Sequence, residues 1–258
     1  MANKALTLDE VRNLVATNSY EVTEKNKLLT RCIDGRYKNS PDLAPVGFPG
    51  GDIGQLAVII TAANNFGFEI DLEKTFQSLI EVIGGKKNFG LHTDSHGDPK
   101  KIASGCGHFK QINLDSKAYN LTKEQVDFIY KKVEEVKKAG ANEVVLQGDH
   151  LEGAVLLVYG NNKSVMNQFT VKGKTVQVFV FHQTLSDLGN RLLAKKLIAD
   201  KALILPPELD ENYLFISLSE IAEIHLMETA TRLAKGLPIY KVNFEDDGET
   251  EIKEMGVV

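Results

Sequence analysis

The chain has two thiols in 258 residues. Cys32 lies in Arg31-Cys32-Ile33-Asp34-Gly35-Arg36-Tyr37, and Cys106 in Ser104-Gly105-Cys106-Gly107-His108, with His92 and His96 between them. Two thiolates and one imidazole form a soft donor set suited to a zinc-like metal. Side chains on a strand repeat with period two, so Cys32, Asp34 and Arg36 are expected on one face, with Ile33 turned the other way. Gly35 lets the backbone leave the sheet there. A guanidinium two residues beyond a carboxylate can grip it bidentately and hold it off a metal. A coordination place then stays open for water, as in catalytic rather than structural sites. The plainer alternative is an Asp34–Arg36 ion pair at a strand end and two unrelated core thiols.

His92 follows a short apolar stretch and is expected at the carboxyl end of a strand, where ligands of α/β sheets gather. It is the preferred imidazole, with His96 its rival. Cys106 sits between two glycines, where a tight turn before a helix start would favour thiolate over thiol. His108 reads as a group that orients a ligand, shuttles protons or is exposed. Two thiolates neutralise a divalent ion, and a water in the fourth position would have its pKa lowered toward neutrality, giving a metal-bound hydroxide nucleophile.

The elements that must position these groups alternate between helix and strand. Thr7 to Glu10 and Thr122 to Gln125 match capping boxes, each opening a helix. Val11, Leu14 and Val15 form the inward side of the first; the second carries Val126, Ile129, Tyr130 and Val133 and ends at Gly140. Leu28 to Asp34 is expected as the first strand. A loop rich in breakers follows, through Pro45 to Gly51. Asp52 reads as the cap of a helix carrying Ile53, Leu56, Ala57, Ile60 and Ala63 and closing near Gly67. Asp71 caps another, with Leu72, Phe76, Leu79, Ile80 and Ile83 inward, stopped by Gly84-Gly85. Asn88 to Leu91 is weakly strand-like.

Glu143 to Leu146 and Gly153 to Val158 suit buried strands. In Thr175 to Phe181, Val176, Val178 and Val180 share a face. Turn signals between the strands near Val155 and Val178 favour an antiparallel pair. Helices are expected near Leu185 to Ala199 and Leu218 to Lys235, with Ile221, Ile224, His225, Met227 and Leu233 partly on one side. Pro238 to Phe244 reads as the last strand, followed by an acidic, exposed tail from Glu245. This pattern predicts an α/β fold: one domain over residues 1–258, with a mixed, largely buried β-sheet flanked by helices. Residues 184–258 carry no readable motif; packing, an interface or a lid are the roles open to them.

Composition sets the class. A hydrophobic fraction of 43% and a charged fraction of 25% are ordinary for a globular protein. The formal net charge of −5 weighs against nucleic acid as a partner. No apolar run reaches the roughly 20 residues that span a bilayer, so no membrane partner is expected. The opening residues are too polar for a signal peptide, which makes the cytoplasm the expected compartment.

Cys-x-Asp-x-Arg followed by a histidine and a second cysteine resembles the β-type carbonic anhydrases. The resemblance implies a fold like theirs, zinc held by Cys32, His92 and Cys106, and a dyad of Asp34 and Arg36 gating the fourth ligand. Gly50-Gly51-Asp52-Ile53-Gly54 resembles the glycine-bearing turn that lines the same pocket. The β-type spacing is His-x-x-Cys, whereas here thirteen residues separate His92 from Cys106 and nine separate His96 from it. The longer gap is more similar to the cadmium-type (zeta) carbonic anhydrases, which use cadmium or zinc. Gln147-Gly148-Asp149-His150-Leu151-Glu152 is also similar to a segment of that group. The implied activity is reversible hydration of carbon dioxide to bicarbonate, and pairing of copies is an expectation from β-type relatives alone. Two alternatives stay open: hydrolysis of carbon disulfide or carbonyl sulfide on the same site, and a non-catalytic protein with a closed Cys/His zinc site. Asp149, His150 and Glu152 read more simply as turn residues at a sheet end than as a second metal site or proton relay. His182 and His225 read as structural histidines.

Overall fold

The computed structural model describes residues 6–22, 28–33, 46–91, 112, 119–141, 154–160, 163–165, 168–171, 174–177, 179–233, 236–245 and 247–257. The described part is mixed α/β. Among the described residues six α-helices run over Leu8–Asn18 (α1), Asp52–Phe66 (α2), Leu72–Val82 (α3), Lys123–Lys138 (α4), Gln183–Ala199 (α5) and Glu211–Leu233 (α6). The strands are Ser19–Glu21 (β1), Thr30–Cys32 (β2), Val46–Phe48 (β3), Glu69–Ile70 (β4), Val155–Tyr159 (β5), Lys163–Val165 (β6), Gln168–Val171 (β7), Lys174–Gln177 (β8), Phe179–His182 (β9), Leu203–Ile204 (β10), Pro238–Phe244 (β11) and Thr250–Val257 (β12).

The largest sheet among the described residues is mixed, in the order β12-β11-β5-β9. β11 runs antiparallel to β12 and parallel to β5. β5 and β9 are parallel, with Val155 opposite Phe179. The antiparallel pairing expected near Val155 and Val178 is therefore wrong. β6 and the antiparallel β7–β8 hairpin lie between them in the chain and carry it back to the same end of the sheet. The turn signals at Gly160 to Lys163 belong to that crossover, not to a hairpin joining β5 to β9.

Side-chain alternation sorts the sheet into two apolar faces. Leu156 and Val158 of β5 and Tyr240 and Val242 of β11 pack with Val11, Leu14 and Val15 of α1. Leu157, Phe181 and Ile239 point the other way and pack with Leu226 and Ala230 of α6. Helices cover both faces. α5 and α6 pack on each other, and α3 packs on α5. Residues 184–258 thus contribute packing: two helices of the core and two strands of the sheet.

Both capping boxes form. The Thr7 hydroxyl accepts from the Glu10 N–H, and Glu10 accepts from the Thr7 N–H at 2.8 Å. Thr122 and Gln125 do the same for α4. Asp71 caps α3 through the Lys74 N–H. α2 ends at Gly67. Its expected inward residues are buried, and so are Val58, Ile59 and Ala62 on its other sides. A helix apolar all round belongs in the interior, and α2 packs against β3, α3, α4 and α6.

Several expectations are corrected. A strand, β1, precedes the one that carries Cys32, which is shorter than Leu28 to Asp34. Val46–Phe48 forms β3, parallel to β2, where the flanking prolines suggest a loop. Lys86–Asn88 is a 3-10 turn, and Leu91 makes a lone bridge rather than ending a strand. α6 begins seven residues before Leu218, and Ile224 on it is half exposed. The tail beyond Glu245 turns back as β12, so Pro238–Phe244 is not the last strand. Glu143 to Leu146, Val178, and the group of Asp149, His150 and Glu152 lie outside the described residues. No helix among the described residues is long and apolar enough to cross a membrane.

Candidate functional site

Cys32 is the last residue of β2 and is 2% exposed. It belongs to the large helical core with Phe48, Ile53, Leu56 and Leu91. Ile33, its neighbour, packs instead with Leu157, Phe181 and Ile239. The two side chains therefore leave the backbone in opposite directions, as strand periodicity predicts. Among the described residues Cys32 is in no disulfide.

Beside Cys32 the chain makes three close backbone approaches. In the parallel β2–β3 pair, Cys32 lies opposite Phe48. The turn after β3 brings Gly51 to an isolated antiparallel bridge with Leu91, the residue before His92. Gly51 has a φ of 64°, and a Cβ there would overlap the Gly90 carbonyl oxygen and lie 3.6 Å from the Cys32 nitrogen. A Cβ on Gly90 would in turn overlap the Thr30 carbonyl oxygen. The two glycines let the Cys32 strand, the Gly50-Gly51 turn and the segment leading to His92 meet backbone to backbone.

Asp52 ties this junction together. It was expected to cap α2, but Gly51 occupies that place and Asp52 is the first helical residue. Its side chain is fully buried. One carboxylate oxygen accepts from the Thr30 hydroxyl, and the other accepts from the Gly90 N–H at 2.6 Å. The Asp52 N–H donates to the Gly90 carbonyl at 3.1 Å. Burial pushes the carboxyl pKa up to about 7, against the opposing pull of the bonds from Thr30 and Gly90.

Of the expected site residues the structure describes Cys32, Gly50 and Gly51, and it brings Gly51 against the Cys32 backbone. Asp34, Arg36, His92, His96 and Cys106 lie outside the described residues. Among the described residues no group of three His, Cys, Asp or Glu side chains could hold a metal ion. Cys32, a buried thiol at a strand end, is the one member of the expected donor set among the described residues. His182 and His225, expected as satisfied structural histidines, are both buried, and His182 Nε2 has no hydrogen-bond partner among the described residues. His182 is fully buried, and its Nδ1 accepts from the Leu185 N–H at the start of α5. His225 is buried and stacked on Tyr119, with ring centroids 4.4 Å apart.

The sequence places Asp52 at a helix start and in the glycine-bearing turn, but its bonds to Thr30 and Gly90 are not legible there; the clue is a carboxylate opening a helix with an apolar residue on every side. Arg31 is not singled out by the sequence at all. Arg31 is 4% exposed, its Nε has no hydrogen-bond partner among the described residues, and burial lowers its pKa. Nothing in the alternation of β2 marks it as interior. No protein-family model, curated protein or solved structure matches the chain.

Proposed function

We propose that the chain is a metal-dependent carbonic anhydrase that hydrates carbon dioxide reversibly to bicarbonate. Cys32, His92 and Cys106 would hold the metal, with His96 the alternative imidazole, and Asp34 and Arg36 would form the dyad beside it. The observation that carries the reading is the Gly51–Leu91 bridge next to Cys32. It sets the residue before His92 against the turn that follows β3, at the end of the strand bearing Cys32. A candidate ligand pair 60 residues apart in sequence thus comes from segments that meet.

A zinc or cadmium ion supplies Lewis acidity, which brings the acidity of a water toward neutral pH. Arg36 would hold the Asp34 carboxylate by charge-assisted hydrogen bonds and keep it from the metal. A carboxylate oxygen of Asp34 would accept a hydrogen bond from the nucleophile and direct its lone pair at carbon dioxide. Phe48 and Ile53, both buried in the core that contains Cys32, supply an apolar wall. Such a wall excludes bulk water and suits a nonpolar gas.

The test is stopped-flow carbon dioxide hydration on protein loaded with zinc or with cadmium, beside a metal-free control. Metal-dependent turnover that is lost in Cys32→Ser is the expected result. Stoichiometric metal without turnover on carbon dioxide would sink the assignment. Turnover on carbon disulfide or carbonyl sulfide would then mark a hydrolase, and none at all a closed structural site. Failure to bind either metal would show that the thiols and imidazole do not converge.

A further inference from the structure

We infer that Asp52 is a positioning residue that holds the Cys32 and His92 segments at a fixed separation; the inference rests on reading that junction as a metal centre. One carboxylate bonds two segments at once. Thr30, two residues before Cys32, donates its hydroxyl to one oxygen, and Gly90, two residues before His92, donates its N–H to the other. The Asp52 N–H closes the loop on the Gly90 carbonyl. The group sits at the start of α2, a helix with buried residues on every side, so its anchor is embedded in the core. Groups that orient a metal's ligands set its affinity as much as the ligands' own chemistry does.

The shape of the group, rather than its charge, is what this role requires. In Asp52→Asn the amide oxygen can accept from Gly90, while the amide nitrogen donates to Thr30, whose hydroxyl rotates to accept. Asp52→Leu removes both bonds at similar volume. Thr30→Val keeps the side-chain outline and removes one. Cadmium affinity is to be measured by competition with a chromophoric chelator, alongside the cadmium–thiolate charge-transfer absorbance and circular dichroism as a check on folding. Affinity is expected to fall at least tenfold in Asp52→Leu, by a smaller factor in Thr30→Val, and to stay within about threefold of wild type in Asp52→Asn.

Wild-type affinity in a folded Asp52→Leu protein would overturn the inference, and so would an Asp52→Asn protein as weak as Asp52→Leu. If Asp52→Leu does not fold, undiminished affinity in Thr30→Val overturns it instead. Hydrogen exchange at the Gly90 amide in the metal-free proteins separates this inference from the metal reading. If wild type binds no cadmium, the metal reading falls. The strut is then judged by that amide: exchange faster in Asp52→Leu or Thr30→Val than in wild type and Asp52→Asn supports it, and equal exchange throughout overturns it.

Discussion

The Asp52 carboxylate accepts the Gly90 N–H at 2.6 Å while the Asp52 N–H donates to the Gly90 carbonyl at 3.1 Å, so one residue satisfies both backbone polar groups of the other. Such two-point pairing across 38 positions of sequence fixes the approach of the two segments in direction as well as distance. It also places a carboxylate where water does not reach.

That burial has a pH signature. With a native pKa of about 7 against an ordinary carboxylate value near 4, native Asp52 keeps its proton over a range in which the unfolded chain has lost it. Its contribution to stability therefore falls as pH rises from about 4 to about 7 and levels off above. Asp52→Asn removes the titration. Urea midpoints measured at intervals across this range should rise more steeply with pH in Asp52→Asn than in wild type; parallel curves would show that Asp52 is ionised in the native state.

The two buried histidines act in the opposite sense. Burial pushes His182 and His225 each down to about 4. Below about 6.5 the unfolded chain takes up protons that the native imidazoles refuse, so stability drops as pH falls from about 6.5 to about 4. Each histidine is expected to cost about 1–3 kcal/mol by the end of that window. Ring-proton NMR signals of both residues should stay unshifted down to about pH 5. A midpoint above 6 for either would contradict its buried, neutral state.

Gly51→Ala tests the junction sterically. The residue would need a φ of 64° and would press its Cβ into the Gly90 carbonyl, a backbone atom held by Asp52. A loss of about 2–4 kcal/mol is expected from strain and overlap together. Denaturant titration measures it. A variant of wild-type stability would mean that the bridge to Leu91 is loose.

Arg31 bears on stability in the other direction. A guanidinium buried with an orphaned Nε costs desolvation energy that no carboxylate among the described residues returns. Arg31→Met is expected to raise stability by about 1–3 kcal/mol. A fall in the denaturation midpoint would show that the charge has a partner of its own.

Helices were legible wherever local chemistry decides them. Thr7 with Glu10 and Thr122 with Gln125 announce helix starts through contacts three residues apart, and those contacts form. The start of α6 was missed because its signal is a single aspartate: Asp210 accepts from the N–H groups of Asn212 and Tyr213, just after a diproline. Strand pairing was not legible. The stretch between β5 and β9 holds turn residues and three short strands, and local turns do not say which partners those strands choose. At the site, the face carried by Cys32 followed from period two and is observed. The place of Asp52 did not follow, because an aspartate at a helix start has a ready local use and only the folded chain offers Thr30 and Gly90 instead.

Among the described residues β12 is an end strand of the main sheet. A rim of that kind is a template for a strand from another molecule and hence for fibre growth. Here it carries Glu251, Lys253 and Glu254, all exposed, and its pairing with β11 slips out of register between Ile239 and Tyr240. An identical strand stacked parallel and in register would meet like charges and a distorted ladder. Charged side chains and a bulge are both devices by which an edge strand resists pairing with another chain.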